Sequence, residues 1–239
     1  IRTERDARTA DRRILTDPFT YRDVLTRRSY LNTRGVRLSE ESTSYRLDGR
    51  IEVVSGAERF HLSDDQEGRG FTDVASLPMG KRLAQRASRL LKRGGKLRDP
   101  MPTILSPRAT AAIIERISMC FTAACVAEGR TFIHAVDALS DKIHLLDDGS
   151  ILGGMATWSF DERGVPPVPL VLLGGGNISG RFLSPEEARE VDTRPTGHCR
   201  GELTGPTNLI LRRGTRSINA VMTEFGDRCF WVDDITEFV

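Results

Sequence analysis

A chain of 239 residues with a formal charge of +2 is long enough to bury one or two hydrophobic cores. Its apolar fraction is 38%, its aromatic fraction 6%, and no apolar run reaches membrane-spanning length. No signal-peptide pattern follows Ile1, so the expectation is a cytoplasmic protein without a membrane segment. The 31 arginines against 4 lysines fit the codon bias of a GC-rich genome and say little about function.

Residues 1–28 are polar and arginine-rich, and predict a terminal arm or a helix with few apolar anchors. Residues 1–37 hold ten arginines against five acids, which raises a nucleic-acid or membrane-surface arm. No aromatic interleaving for base stacking accompanies them, so a solvated arginine face is the expectation. Alternation at Tyr45, Leu47, Ile51 and Val53 predicts two strands joined by Asp48-Gly49. Asp64, Asp65 and Glu67 lack the ligand alternation and closing glutamate of a calcium loop and are expected in a solvated turn. Residues 73–93 predict a basic amphipathic helix with Leu83, Ala87, Leu90 and Leu91 on one face. Lys92-Arg93-Gly94-Gly95 would end it, and Asp99-Pro100-Met101-Pro102 is the best candidate boundary.

Beyond that boundary, Thr103 to Leu105 predicts a short strand. Ser106 and Pro107 then start a helix that turns Ile113, Ile114, Ile117, Cys120, Phe121 and Ala124 to a core. A serine spent on capping is a poor nucleophile. Asp147-Asp148-Gly149 is expected to be a solvated turn, and Ile151 to Phe160 a strand followed by a turn at Asp161 to Gly164. Val168 to Leu173 predicts a strand, Gly174 to Asn177 a tight reversal, and Ile178 to Leu183 the returning strand. The glycine run lacks the Lys-Ser/Thr of a phosphate loop and joins strand to strand. Ser184 caps a helix with Pro185 at its first position and Glu186 and Glu187 in its first turn. A polar loop, Pro195-Thr196-Gly197-His198, leads to a last strand, Asn208 to Arg212. Cys120, Cys125, Cys199 and Cys229 show no paired CxxC spacing and read as reduced, buried cysteines.

Taken in order, the DxxGV turn, the Gly-Asn reversal, the serine-capped helix, the PTGH loop and the GPTNLILRRG strand resemble the TldD/PmbA peptidase family. The last two motifs resemble its TldE (PmbA) branch. Asn32 to Gly35 with the following Tyr45 to Val54, and Pro102 to Arg130, are similar to earlier family segments. The likeness runs over residues 30–235. It implies an α+β fold in two subdomains, with mixed and antiparallel sheets against packed helices. Residues 1–99 would be a shortened N-terminal α/β domain and residues 100–239 a truncated, β-rich C-terminal domain. It also implies pairing: a TldD-type subunit carries zinc on an HExxxH helix, and a TldE-type subunit without metal completes the chamber.

Such a helix needs two imidazoles on one face and a glutamate to activate water. His61, His134, His144 and His198 are too dispersed to supply that pair. Where HExxxH would stand, this chain has Glu115, Arg116 and Cys120, and arginine neither ligates a metal nor serves as a base. No metal or cofactor is therefore expected in this chain, and the zinc is expected in the partner. The expected function is a non-catalytic TldE-like subunit of a heterodimeric metallopeptidase or amide hydrolase, acting on peptides or peptide-like compounds in proteolysis or specialised biosynthesis. A stand-alone hydrolase using His198 with a cysteine or carboxylate is an alternative, as is a scaffold or regulatory module. Thr196, His198 and Asn208 are the candidates for the chamber wall, with loop fixing inside the subunit as their other reading.

Overall fold

A computed structural model describes residues 2–91, 100–129 and 140–235. The glycine stop after Leu91, together with Asp99 and His134, lies outside the described residues. The chain divides into two compact units, residues 1–28 with 41–99 and residues 29–40 with 100–239. The architecture is α+β with mixed and antiparallel sheets, and no described helix is long and apolar enough to cross a membrane.

The first unit is organised on one long strand, β3 (Arg37–Ser55), flanked by β1 (Ile14–Thr16) and β4 (Glu58–Gly68), both antiparallel to it. β2 (Thr20–Leu31) extends the same sheet. The expected reversal at Asp48-Gly49 is absent: Asp48 and Gly49 lie within the ladder opposite Asp65 and Asp64, and the chain turns at Gly56 instead. Glycine is needed at 49 because a Cβ there would meet the Phe19 ring at 2.7 Å and the Met79 sulfur at 2.9 Å. Of the two expectations for the arginine-rich start, the helix with few apolar anchors holds and the arm does not. This start forms α1 (Arg2–Arg8) and β1, and buries Ala7 and Ile14 in a core with Ile51, Val53, Leu62, Met79, Leu83 and Ala87.

The predicted helix divides into α2 (Phe71–Ala75) and α3 (Met79–Leu91), separated at Pro78, which cannot donate into a helix interior. Leu83 and Ala87 are buried on it, and Leu90 and Leu91 pack at the edge of the core. The acidic run expected in a solvated turn is instead strand β4. Strand alternation turns Asp64 inward, where Arg82 holds its carboxylate at 2.8 Å, while Asp65 and Glu67 face out towards Arg46.

The second unit begins with the tip of the β2–β3 hairpin. Asn32 accepts from the amides of Arg34 and Val36, Tyr30 rests on Phe160, and Glu40 accepts from the Ser159 amide. After β5 (Thr103–Leu105), α4 (Pro107–Ser118) starts with Ser106 accepting from the Ala109 amide. A 3₁₀ turn over Met119–Phe121 and a Thr122 cap then lead into α5 (Ala123–Ala127).

The main sheet has the order β11 (Leu209–Leu211), β6 (Leu145–Asp147), β7 (Leu170–Gly174), β8 (Asn177–Ile178), all antiparallel. Phe121, Leu145, Leu172, Leu173 and Phe182 form its core, with Ile114 and Ile117 of α4 packed on it. The strand expected over Ile151–Phe160 is a run of turns, and the ladder is occupied earlier, by β6. The glycine reversal is present, with positive φ at Gly175 and Gly176, but its returning strand ends at Ile178. Ser184 and Glu187 form a reciprocal capping box at the start of α6 (Pro185–Glu190). A hairpin of β9 (Cys199–Arg200) and β10 (Leu203–Thr204) precedes β11. Beyond it lie α7 (Ile218–Phe225) and β12 (Phe230–Val232), the latter parallel to β5.

Candidate functional site

Spacing of three and four residues puts Ala112, Glu115, Arg116 and Met119 on one face of the helix and its 3₁₀ extension. They line a groove of about 660 Å³ whose other wall is Arg200, Leu203, Thr204, Gly205 and Pro206. Glu115 and Arg116 are exposed on this face. Cys120, one turn on, is buried and opens to a separate cleft of about 780 Å³ beside α5 and α6. The two positions that would hold zinc, Glu115 and Cys120, therefore open to different clefts. A guanidinium stands where a base would be needed, and the thiol faces elsewhere, so these residues do not fit the metal. Among the described residues, no three His, Cys, Asp or Glu side chains are grouped to hold an ion.

Behind the groove, a buried polar layer holds the loops in place. Asp147, expected in a solvated turn, is fully buried at the end of β6. Its Oδ1 lies 2.8 Å from His198 Nε2 and accepts from the Thr207 hydroxyl, and its Oδ2 accepts from the Thr207 amide at 2.7 Å. The His198 ring is also fully buried, against Phe182 with centroids 4.9 Å apart, and its Nδ1 has no hydrogen-bond partner. A neutral ring that donates from Nε2 to Asp147 leaves only a lone pair unmet at Nδ1, which costs less than an unpaired N–H.

Asp161 holds the neighbouring turn. One oxygen accepts from the amides of Arg163 and Val165, the other from the Cys199 amide, all at 2.9 Å. Burial, followed by the adjacent Asp161 carboxylate, pushes the Cys199 thiol up to about 12.

The other two sequence candidates are also engaged within the unit. Thr196 Oγ1 accepts from the Leu183 amide and donates to the Leu183 carbonyl. Asn208 donates to the Asp148 carbonyl and the Thr157 hydroxyl and accepts from the Ala156 amide, binding β11 to the 148–157 turns. Thr196 and His198 thus lie on opposite sides of Gly197, whose φ of +73° and 2.2 Å approach of its would-be Cβ to the Pro166 carbonyl exclude any side chain. The loop is built to present the β9–β10 hairpin.

Comparison with known proteins agrees with this architecture. Residues 1–91 match the PmbA/TldA metallopeptidase central domain, and residues 98–239 the corresponding C-terminal domain. The chain belongs to the PmbA/TldD family. A metalloprotease of Methanothermobacter thermautotrophicus is 23% identical over 227 residues, 88% of this chain and 49% of the relative. The chain therefore spans about half the length of this curated relative. A Thermotoga maritima structure described as a candidate modulator of a DNA gyrase superposes with a TM-score of 0.87 at 19% identity, over 99% of this chain and 56% of that one. TldE of Thermococcus kodakarensis superposes with a TM-score of 0.83 at 18% identity, with the same coverage.

Within this PmbA/TldD architecture, sequence reasoning missed Asp147, Asp161 and Arg200. Asp147 had no signal beyond its acidic turn composition. Asp161 was legible only as the first residue of a turn. Arg200 was one arginine among 31, yet its guanidinium sits over the Trp158 ring at 5.1 Å and donates to the Pro206 carbonyl at the groove wall.

Proposed function

We propose that this chain is a TldE-like, non-catalytic subunit that pairs with a zinc-bearing TldD-like protein to form a cytoplasmic peptidase or amide hydrolase. The observation that carries the reading is the outer face of α4. In a family of metallopeptidases this face offers Glu115 and Arg116 to an open groove, while Cys120 is buried away from them. Substrates would be peptides or peptide-like amides, and the zinc would be the partner's. Thr196, His198 and Asn208 then shape the chamber by fixing its loops rather than by touching substrate. A stand-alone hydrolase based on His198 finds no support in a ring that is fully buried and committed to Asp147.

Co-expression with a TldD-like protein tests the pairing. A stable complex whose zinc content and peptide hydrolysis follow the partner is expected, and a chain that remains indifferent to the partner would overturn the reading. In the complex, His198→Ala is expected to lower peptide turnover several-fold with no loss of stoichiometric zinc. Loss of zinc in that variant would make His198 a ligand.

A further inference from the structure

The groove between α4 and the β9–β10 hairpin has one charged group held ready for a ligand. The Arg200 guanidinium is oriented by the face of Trp158 and by the Pro206 carbonyl, and neither neutralises it. Among the described residues no carboxylate pairs with it. The acids that adjoin β9 have contacts of their own: Asp161 accepts from the amides of Arg163, Val165 and Cys199, Glu162 accepts from the Gly201 amide, and the exposed Glu202 lies 3.6 Å from Arg163. Arg116, across the groove, adds positive charge but has an interaction of its own, and Glu115 is the acid on that wall. Met119, Leu203 and Pro206 supply apolar surface beside the cation, and Leu203 is 67% exposed. A fixed guanidinium with unspent donors suits planar, bidentate recognition of a carboxylate. The apolar neighbours suit the aliphatic side chain next to it.

We propose that this groove binds the carboxylate of a short peptide, with Arg200 as its anchor and the Met119–Leu203–Pro206 surface receiving the adjoining apolar side chain. Trp158 and the buried Asp147–His198 pair act as positioning residues, because the loop they secure leads into β9. The proposal rests on the chamber-subunit reading for its place in peptide handling, whereas its chemistry belongs to this chain alone.

The test is calorimetric titration of the purified chain with Ala-Ala-Ala-Leu as the free acid, with its C-terminal amide, and with amidated Ala-Ala-Asp-Leu. The free acid is expected to bind at least about tenfold more tightly than the plain amide. Arg200→Gln should erase that difference, and Arg200→Lys should retain part of it. If the aspartyl amide binds like the free acid, a side-chain carboxylate serves as well as a terminal one. If it binds like the plain amide, the site reads chain ends. Equal binding of acid and amide, undiminished binding by Arg200→Gln, or no saturable binding at millimolar peptide would overturn the proposal. Failure to pair with a TldD-like protein would remove the subunit reading and leave this site standing. Loss of acid discrimination in a stable complex would do the reverse.

Discussion

The inner and outer faces of the second unit use charge in opposite ways. Asp147 and Asp161 are buried, and between them their four oxygens accept from backbone amides, a hydroxyl and an imidazole. Glu115, Arg116 and Arg200 are exposed around an open groove. A carboxylate whose acceptors are all filled from within its own unit has nothing left for a ligand, and its value lies in geometry. A cation held by a ring face and a carbonyl retains its charge for something outside. Burial with saturated hydrogen bonds marks a positioning group, and orientation without neutralisation marks a recognition group.

Removing the inner layer should have the largest effect. Asp147→Ala would leave the His198 ring buried without its acceptor and strip two donors of Thr207. Three donors lose their acceptor at about 1–3 kcal/mol each, so a loss of about 3–5 kcal/mol is expected, read from urea unfolding midpoints. A loss under about 1 kcal/mol would show that Asp147 is not what holds the loop. Asn208→Ala removes three hydrogen bonds at a half-buried position and should cost about 1–3 kcal/mol. Amide exchange should then speed up at Ala156, whose N–H loses its acceptor, more than in β7. Uniform protection across both would contradict the fixing role given to Asn208.

Cys199 gives a pH-dependent version of the same contrast. Its thiol is held at about 12 against an ordinary value of 9.0, so the folded state keeps a proton that the unfolded chain releases. The contribution is fully present below pH 9 and is lost as pH rises towards about 12. Unfolding midpoints should therefore be level across neutral pH and fall more steeply above pH 9 in the parent than in Cys199→Ala. At pH 8 the folded protein should be alkylated at the partly exposed Cys125 and Cys229 well before Cys199. Early modification of Cys199 would mean that the inner layer opens readily.

Legibility followed the same division. Local chemistry was readable: the Asp161 turn, the Gly175-Gly176 reversal, the Ser106 and Ser184 caps and the core faces of α3 and α4 all follow from a few adjacent residues. What failed depended on distant partners. Asp48-Gly49 has turn composition, but the space beside Phe19 and Met79 requires a glycine inside a strand. Asp64 and Asp147 look solvated in sequence, and become inner residues only once Arg82, or His198 and Thr207, fold against them. Thr196, His198 and Asn208 were found because they stand in recognisable motifs, but sequence could not show which way they face. Arg200 was hidden by the abundance of arginine.

The smallest expected effect is at the outer face. Glu115 is exposed on α4, near the helix end where a negative charge opposes the macrodipole, and no core residue depends on it. Glu115→Gln should leave the unfolding midpoint within about 0.5 kcal/mol of the parent. Its consequence should appear in binding instead. Removing the acid from the wall that faces Arg200 makes the groove more positive, so the free-acid peptide should bind more tightly and its amide should change little. This gain should shrink as salt is raised, because the charges involved are open to solvent. A variant that loses stability while peptide binding is untouched would make Glu115 a structural residue and erase the distinction between the two faces. A variant that tightens acid and amide equally would show that the groove selects by shape, and would take the charge on Arg200 out of the explanation.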